Sequence, residues 1–290
     1  MPQERHRPVL VDEVIDILRS PKGDVFIDAT VGDGGHTLGI IKRCNAKKII
    51  AIDRDPKAIE RARKFLDDYI KMIIFYNTNF INIDKTAERQ VDGILFDLGL
   101  SLYQLSDRER GFSFNSDSPL NMGMNGNARS VRDLINKMPA DEIANIIFKY
   151  GDERFSRKIA SLIVEERHLK PIETTGELVK IIKKVYPAGH HRIHPATRTF
   201  QALRIWANDE LTNLEIALPK ALELLKIGGV LIVISYHSLE DRIVKQIFKD
   251  KAMSGRYEII TKKPVRPSRE EVLENRNSRS AKLRAMRRLL

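Results

Sequence analysis

The chain has one cysteine, Cys44, and one tryptophan, Trp206, in 290 residues. A lone thiol excludes a disulfide framework and any zinc ribbon or finger, and it suits a reducing cytoplasm. No apolar run nears the roughly 20 residues that a membrane-spanning helix needs. The longest, Val230–Ile234, stops at Ser235. The N-terminal MPQERHRPVLVDEV is charged and leads into an acidic amphipathic stretch rather than an apolar signal core, so a cytoplasmic chain with no membrane partner is expected. Internal repeats and low-complexity tracts are also missing.

What is present is ample apolar content and an excess of positive charge. Hydrophobic residues make up 42% of the chain, enough to bury a core, and its net charge is +11. Residues 261–290 hold ten Lys or Arg against three Glu, so most of that excess sits in the last thirty residues. A polyanionic partner is the first reading of such a segment, and a solvated basic tail is the other.

The first hundred residues alternate short apolar runs with helical spacing. Val25–Ile27, Lys48–Ile52, Met72–Tyr76 and Gly93–Phe96 read as buried parallel strands, and each is followed by an Asp or Asn: Asp28, Asp53, Asn77 and Asp97. Thr37–Cys44 and Pro56–Leu66 read as helices, with Pro56 suited to a first helical position. The pattern predicts a doubly wound, mostly parallel α/β sheet. It breaks after Asp97. A polar segment at 106–127 is too long for an ordinary βα loop, and helices are expected over Val131–Lys137, Asp141–Lys149, Arg154–Arg167 and Thr175–Val185. Strands return at Gly229–Ile234 and Tyr257–Lys262, around a helix at Leu239–Lys249. The expected division is a first part of the α/β domain at 1–105, an inserted helical domain at 106–198, and a second part at 199–290.

The loop Asp28–His36 (DATVGDGGH) joins the first strand to the first helix, and Asp53 follows Gly34 by 19 residues. Glycines let backbone approach a ligand, a helix N-terminus offers free N–H groups, and an acid at that spacing suits ribose hydroxyls. A tight turn with a capping Asp would use the same residues. The loop lacks the third glycine of a dinucleotide fingerprint and the Lys-Ser/Thr of a P-loop. S-adenosylmethionine needs no pyrophosphate cradle, so the loop, Asp53, Phe80 and Asp97 point to a methyltransferase. An NAD(P)-linked oxidoreductase and a non-enzymatic ribosome-binding factor remain the rivals.

Six longer segments carry a resemblance: DATVGDGGH (28–36), AIDRDP (51–56), DGILFDLGLS (92–101), ERGFSF (109–114), HPATRTFQALRIW (194–206) and SYHSLEDRIVK (235–245), with SRSAKLR (278–284) as a seventh. They resemble the bacterial small-subunit (16S) ribosomal RNA cytosine-N(4)-methyltransferases, in family order over nearly the whole chain. The resemblance implies a class I S-adenosylmethionine-dependent methyltransferase fold with a helical insertion. It further implies methylation of the exocyclic amine of one cytidine in the decoding region, on an assembled or nearly assembled small subunit, with a homodimer left open. It places Gly34, Gly35, His36, Asp53, Phe80, Asp97 and Gln104 at the cofactor. The chain departs from the family at Leu102, where a second serine is usual, and at Asn121 and Gly123, where the family carries an acid and an Arg.

For the chemistry, no Asp/Asn-Pro-Pro-aromatic loop occurs, and Asp97-Leu-Gly-Leu-Ser101 stands in its place. Asp97 and Ser101 are the candidate catalytic residues, forming a target pocket with the 111–124 loop. Asn121, Arg198 and His237 are the candidate RNA contacts. His237 reads equally as a histidine at a helix start, with Ser238 as the cap and Asp241 three residues on. Without cysteines or a matched acid, His190, His191 and His194 suit an RNA-facing loop and no metal is expected.

Overall fold

The computed structural model describes residues 8–19, 23–86, 90–126, 128–187, 189 and 193–290. In chain order the strands are β1 (Val25–Asp28), β2 (Lys48–Asp53), β3 (Ile73–Asn77), β4 (Val91–Asp97), β5 (Leu225–Ser235), β6 (Tyr257–Ile259) and β7 (Lys282–Arg288). The helices are α1 (Val11–Leu18), α2 (Gly35–Arg43), α3 (Pro56–Phe65), α4 (Ile83–Thr86), α5 (Leu102–Ser106), α6 (Val131–Lys137), α7 (Ala140–Gly151), α8 (Ser156–Leu169), α9 (Thr175–Val185), α10 (Thr197–Asn208), α11 (Glu210–Leu224), α12 (Ser238–Ala252) and α13 (Arg269–Glu274). Contacts divide the chain into two compact units, Met1–Gly99 with Leu211–Leu290, and Leu100–Glu210.

The first unit is built on one seven-stranded sheet in the order β3-β2-β1-β4-β5-β7-β6. Its first five strands are parallel, and β7 runs antiparallel to both β5 and β6. The sheet is α/β, doubly wound and mostly parallel, as the sequence pattern predicts. Alternation along each strand sends side chains to two apolar layers. Phe26, Ile49, Ala51, Leu95 and Ile232 meet α1, α2 and α3 on one face. Ile27, Ile50, Ile52, Phe96 and Val233 meet α4, α11 and α12 on the other.

Both expected helices near the glycine loop form. Asp55 caps α3 by accepting the N–H of Lys57, ahead of Pro56 in the first turn. Helix α2 starts at Gly35, two residues earlier than Thr37, because Gly34 turns the chain at φ 88°. That left-handed conformation favours glycine, and a Cβ at Gly34 would also stand 2.8 Å from the Leu66 side chain. The earlier start puts Gly35 and His36 in the first turn, where N–H groups are unpaired.

The basic C-terminal segment is neither a tail nor a freely presented arm. Lys282–Arg288 is β7, with Leu283, Ala285 and Met286 fully buried between β5 and β6. Arg284 and Lys282 donate to Asp241 of α12 at 2.7 and 3.0 Å. Part of the charge that suggested a polyanion therefore serves the fold.

The second unit packs α6–α10 around Leu134, Ile147, Ile163, Ile182, Phe200 and Leu203. Helix α10 belongs here because Phe200, Leu203 and Ala207 contribute to this core. Thr174 and Glu177 close a capping box at α9. Burial opposes ionisation of Glu177, but the hydrogen bonds from Lys170 and from the Glu173 and Thr174 amides prevail, with Lys170 foremost, and its carboxyl drops to about 2.

Candidate cofactor and methyl-transfer site

Parallel pairing aligns the strand ends, so Asp28, Asp53 and Asp97 collect at the carboxyl edge of β1, β2 and β4. In an open α/β sheet that edge is where ligands bind. Asp53 accepts the N–H groups of Gly32 and Asp55, both at 2.9 Å, which ties the glycine loop to β2. Burial pushes its carboxyl up to about 6 despite those two bonds. A carboxylate has about four acceptor directions. Two are taken here, and the residue is only half-buried, which leaves acceptors for two ribose hydroxyls.

Asp28 is buried and accepts the Thr37 hydroxyl at 2.7 Å and the Thr30 N–H at 3.3 Å. Burial raises its pKa above the usual carboxylate range. Its place is to brace the loop: strand end, loop and first helical turn become one hydrogen-bonded piece.

Asp97 carries the most chemically suggestive contacts. Its N–H donates to Thr30 Oγ1 at 2.6 Å, its Oδ1 accepts the Tyr236 hydroxyl at 2.8 Å, and its Oδ2 lies 3.5 Å from His36 Nε2. Burial foremost, then the Asp97 charge, push the Tyr236 pKa well above its ordinary value, so the phenol acts as a donor and not as a base. His36 is 6% exposed, and neither ring nitrogen makes a hydrogen bond among the described residues. Buried polar atoms without partners are uncommon and suit a ligand. Phe80 is half-buried, edge-on to Phe96 at 5.5 Å. Gly34, Gly35, His36, Asp53 and Asp97 thus converge in one unit, and they fit a nucleoside-bearing sulfonium: backbone N–H groups, a ribose acceptor and a crevice without a phosphate cradle.

Sequence order alone assigns no role to Tyr236, Asp28, Thr30 or Glu240. The signal for Tyr236 is its place directly after β5, the strand that pairs with β4 with Ile234 opposite Asp97.

His237 is itself the cap of α12, one residue before Ser238, and its partner is Glu240 rather than Asp241. Its Nδ1 accepts the Glu240 N–H at 3.3 Å, and its Nε2 lies 3.1 Å from Glu240 Oε1. Glu240 in turn accepts the N–H of Tyr236 at 2.8 Å. The histidine therefore orients the turn that carries Tyr236.

The remaining candidates lie in the second unit. Ser101 and Gln104 hold one another in the capping box of α5, Ser101 Oγ accepting the Gln104 N–H and Gln104 Oε1 accepting the Ser101 N–H. The 111–124 loop is ordered without regular structure. Phe112, Leu120 and Met122 are buried. Phe114 stacks on His194 at 4.6 Å with parallel rings. Buried Asn208 spans the loop, donating to Met122 O at 2.7 Å and accepting from Met124 N at 3.0 Å. Asn121 is exposed, and its Oδ1 accepts the Gly123 N–H. Arg198 is exposed on α10 and donates to Asp152 O at 2.9 Å. His194 accepts the Ala196 N–H through Nδ1, and His190 and His191 lie outside the described residues.

Fold and crevice together define a class I methyltransferase. The model of the MraW methylase family matches residues 3–289, and the chain belongs to that family. It is 45% identical to the ribosomal RNA small subunit methyltransferase H of Ehrlichia chaffeensis, over 97% of this chain and 99% of that protein. Against the protein of the same name from Thermotoga neapolitana the identity is 46%, over 97% and 95%. Against that of Clostridium botulinum strain Kyoto it is 45%, over 98% and 99%.

Proposed function

We propose that this chain transfers the methyl group of S-adenosylmethionine to the exocyclic N(4) amine of one cytidine in the decoding region of small-subunit ribosomal RNA. The observation that carries the reading is the Asp97 cluster at the end of β4, beside the glycine loop and Asp53, in a chain whose full-length relatives are named small-subunit RNA methyltransferases. The cofactor, when bound, supplies an electrophilic methyl whose C–S bond breaks with its electron pair going to sulfur. Residues of the first unit do the rest. Asp53 and the turn Gly34–His36 hold the nucleoside. Asp97, oriented by Tyr236 and the Thr30 hydroxyl, accepts a hydrogen bond from the amine and so turns its lone pair toward the methyl. The amine forms its new N–C bond and gives up one proton, for which Asp97 is the acceptor. Alignment of donor and acceptor supplies most of the acceleration, about 7–11 kcal/mol in well-oriented systems, and the target base must leave its stack to reach the site.

In the second unit, the N-cap hydroxyl of Ser101, the 111–124 loop with Asn121, and Arg198 meet the RNA, so this unit is the recognition domain. Gln104 holds Ser101 in place through the capping box of α5. The enzyme acts in the cytoplasm on an assembled or nearly assembled small subunit. Among the described residues no helix is long and apolar enough to cross a membrane. The test is transfer of tritiated methyl from S-adenosylmethionine to purified small subunits, with the modified nucleotide mapped. A chain that binds the cofactor but labels no cytidine N(4) overturns the reading. Calorimetry with NADH answers the oxidoreductase alternative, since that reading requires binding.

A further inference from the structure

The turn between α7 and α8 carries a surface of which the proposed methyl transfer uses only Arg198. Asp152 ends α7 in a left-handed turn at φ 49°. The start of α10 presses against it: a Cβ at Gly151 would stand 2.5 Å from the carbonyl oxygen of Arg198, whose own guanidinium donates to Asp152 O. Tyr186, just after α9, donates its hydroxyl to the buried Glu153 at 2.5 Å and meets Phe155 edge-on at 5.0 Å. Four helices are thereby locked around one corner of the second unit.

The corner is cationic in an ordered way. Arg154 lies 4.7 Å over the Phe155 ring, and Lys149 lies 5.0 Å from the centre of the Tyr150 ring. Both are exposed, and neither pairs with a carboxylate among the described residues. Burial and the bond to Glu153 keep the Tyr186 hydroxyl protonated. The turn itself carries two acids: Glu153 is occupied by Tyr186 and by the Phe155 N–H at 2.9 Å, and Asp152 is exposed. A cation resting on a ring keeps its N–H donors for an outside acceptor and loses less rotamer freedom on binding. Guanidiniums match phosphate oxygens bidentately, and their flat faces stack on unpaired bases.

We propose that Lys149, Arg154 and Arg198 form a docking surface for a single-stranded segment of the substrate RNA, which they grip through its phosphates. This rests on the RNA methyl transfer proposed above. The decisive measurement uses the full chain with Lys149→Gln and Arg154→Gln combined, binding a labelled decoding-region RNA over a salt series by fluorescence anisotropy. The slope of log affinity against log salt should fall by about 1.4, since each single-strand phosphate contact contributes about 0.7. The KM for RNA should rise roughly tenfold with kcat unchanged, as expected of lost phosphate contacts, and cofactor affinity by calorimetry should hold. An unchanged slope and KM overturn the proposal. A second variant, Lys149→Arg with Arg154→Lys, keeps both charges and should keep the slope. If it loses as much, the effect is structural and the proposal fails. Should the unaltered chain transfer no methyl to RNA, the failure lies with the proposed function instead.

Discussion

Replacing Asp53 by Asn separates the cofactor site from the fold that carries it. The carboxylate accepts two backbone amides at 2.9 Å and keeps acceptor capacity for the proposed ribose hydroxyls. A hydrogen bond to a charged partner contributes about 1.5–3 kcal/mol. Asn keeps one acceptor and turns an NH2 toward the others. The net loss in cofactor binding should be about 3 kcal/mol, a Kd increase of roughly 100-fold. Stability should change little. The folded pKa, about 6, is above the ordinary aspartate value of 3.8, so the stabilising contribution of the neutral acid is present at low pH and lost as pH rises through about 6. At neutral pH the protein thus carries a poorly solvated charge, and its removal offsets the weakened loop bonds. The same titration sets a pH signature. Ribose hydroxyls favour the ionised acid, so cofactor affinity of the unaltered chain should fall by up to tenfold per unit below about pH 6, while Asp53→Asn stays flat. Calorimetry with S-adenosylmethionine from about pH 5 to about pH 8, with a thermal melt of each sample, reads both. A Kd within threefold of the unaltered chain, or a pH-independent unaltered chain, refutes the assignment of Asp53 to the ribose.

Three further substitutions address other contacts. Tyr236→Phe removes the donor at 2.8 Å from Asp97, so kcat should fall at least about tenfold, the worth of a hydrogen bond to a charged partner, with cofactor Kd unchanged in calorimetry. Asn208→Ala strands Met122 O and Met124 N, which should cost about 2–3 kcal/mol and speed amide exchange across the 121–126 loop; protection equal to the unaltered chain would show that the loop is held by other contacts. Asp241→Ala leaves Arg284 unpaired inside the sheet, and about 3 kcal/mol should be lost, lowering Tm by roughly 6–12 °C. Burial raises the Asp241 carboxyl, but the bonds from Arg284 and Lys282 outweigh it and hold the pKa below its usual range. Its contribution is therefore present at neutral pH, and the Tm deficit should shrink as pH falls below about 4.

Much of this was legible from residue order. Strands β1 to β4 are continuous apolar runs that end in a polar residue, a pattern local enough to read directly. Asp53 and the glycine loop could be paired because a βαβ unit has a fixed length. Strand β7 could not. KLRAMRR looks like a basic tail, and only pairing with β5 and β6, more than twenty residues away in each case, makes its alternation meaningful. The cap of α12 falls at His237, one position before the expected Ser238, for the same kind of reason: which of the two lies outside the helix depends on how β5 delivers the chain.

Amino-acid order alone therefore determined the layered α/β class, the crevice at the strand ends and the chemistry of its loop, since these follow from short-range periodicity and from motifs within one supersecondary unit. Tertiary structure decided which charges serve the fold and which face outward. Arg284 and Arg154 are indistinguishable in composition, yet one is buried against Asp241 and the other lies exposed over Phe155. The physical reason is that a charge takes its meaning from its desolvation and its partners, and both are set by segments far apart in the chain.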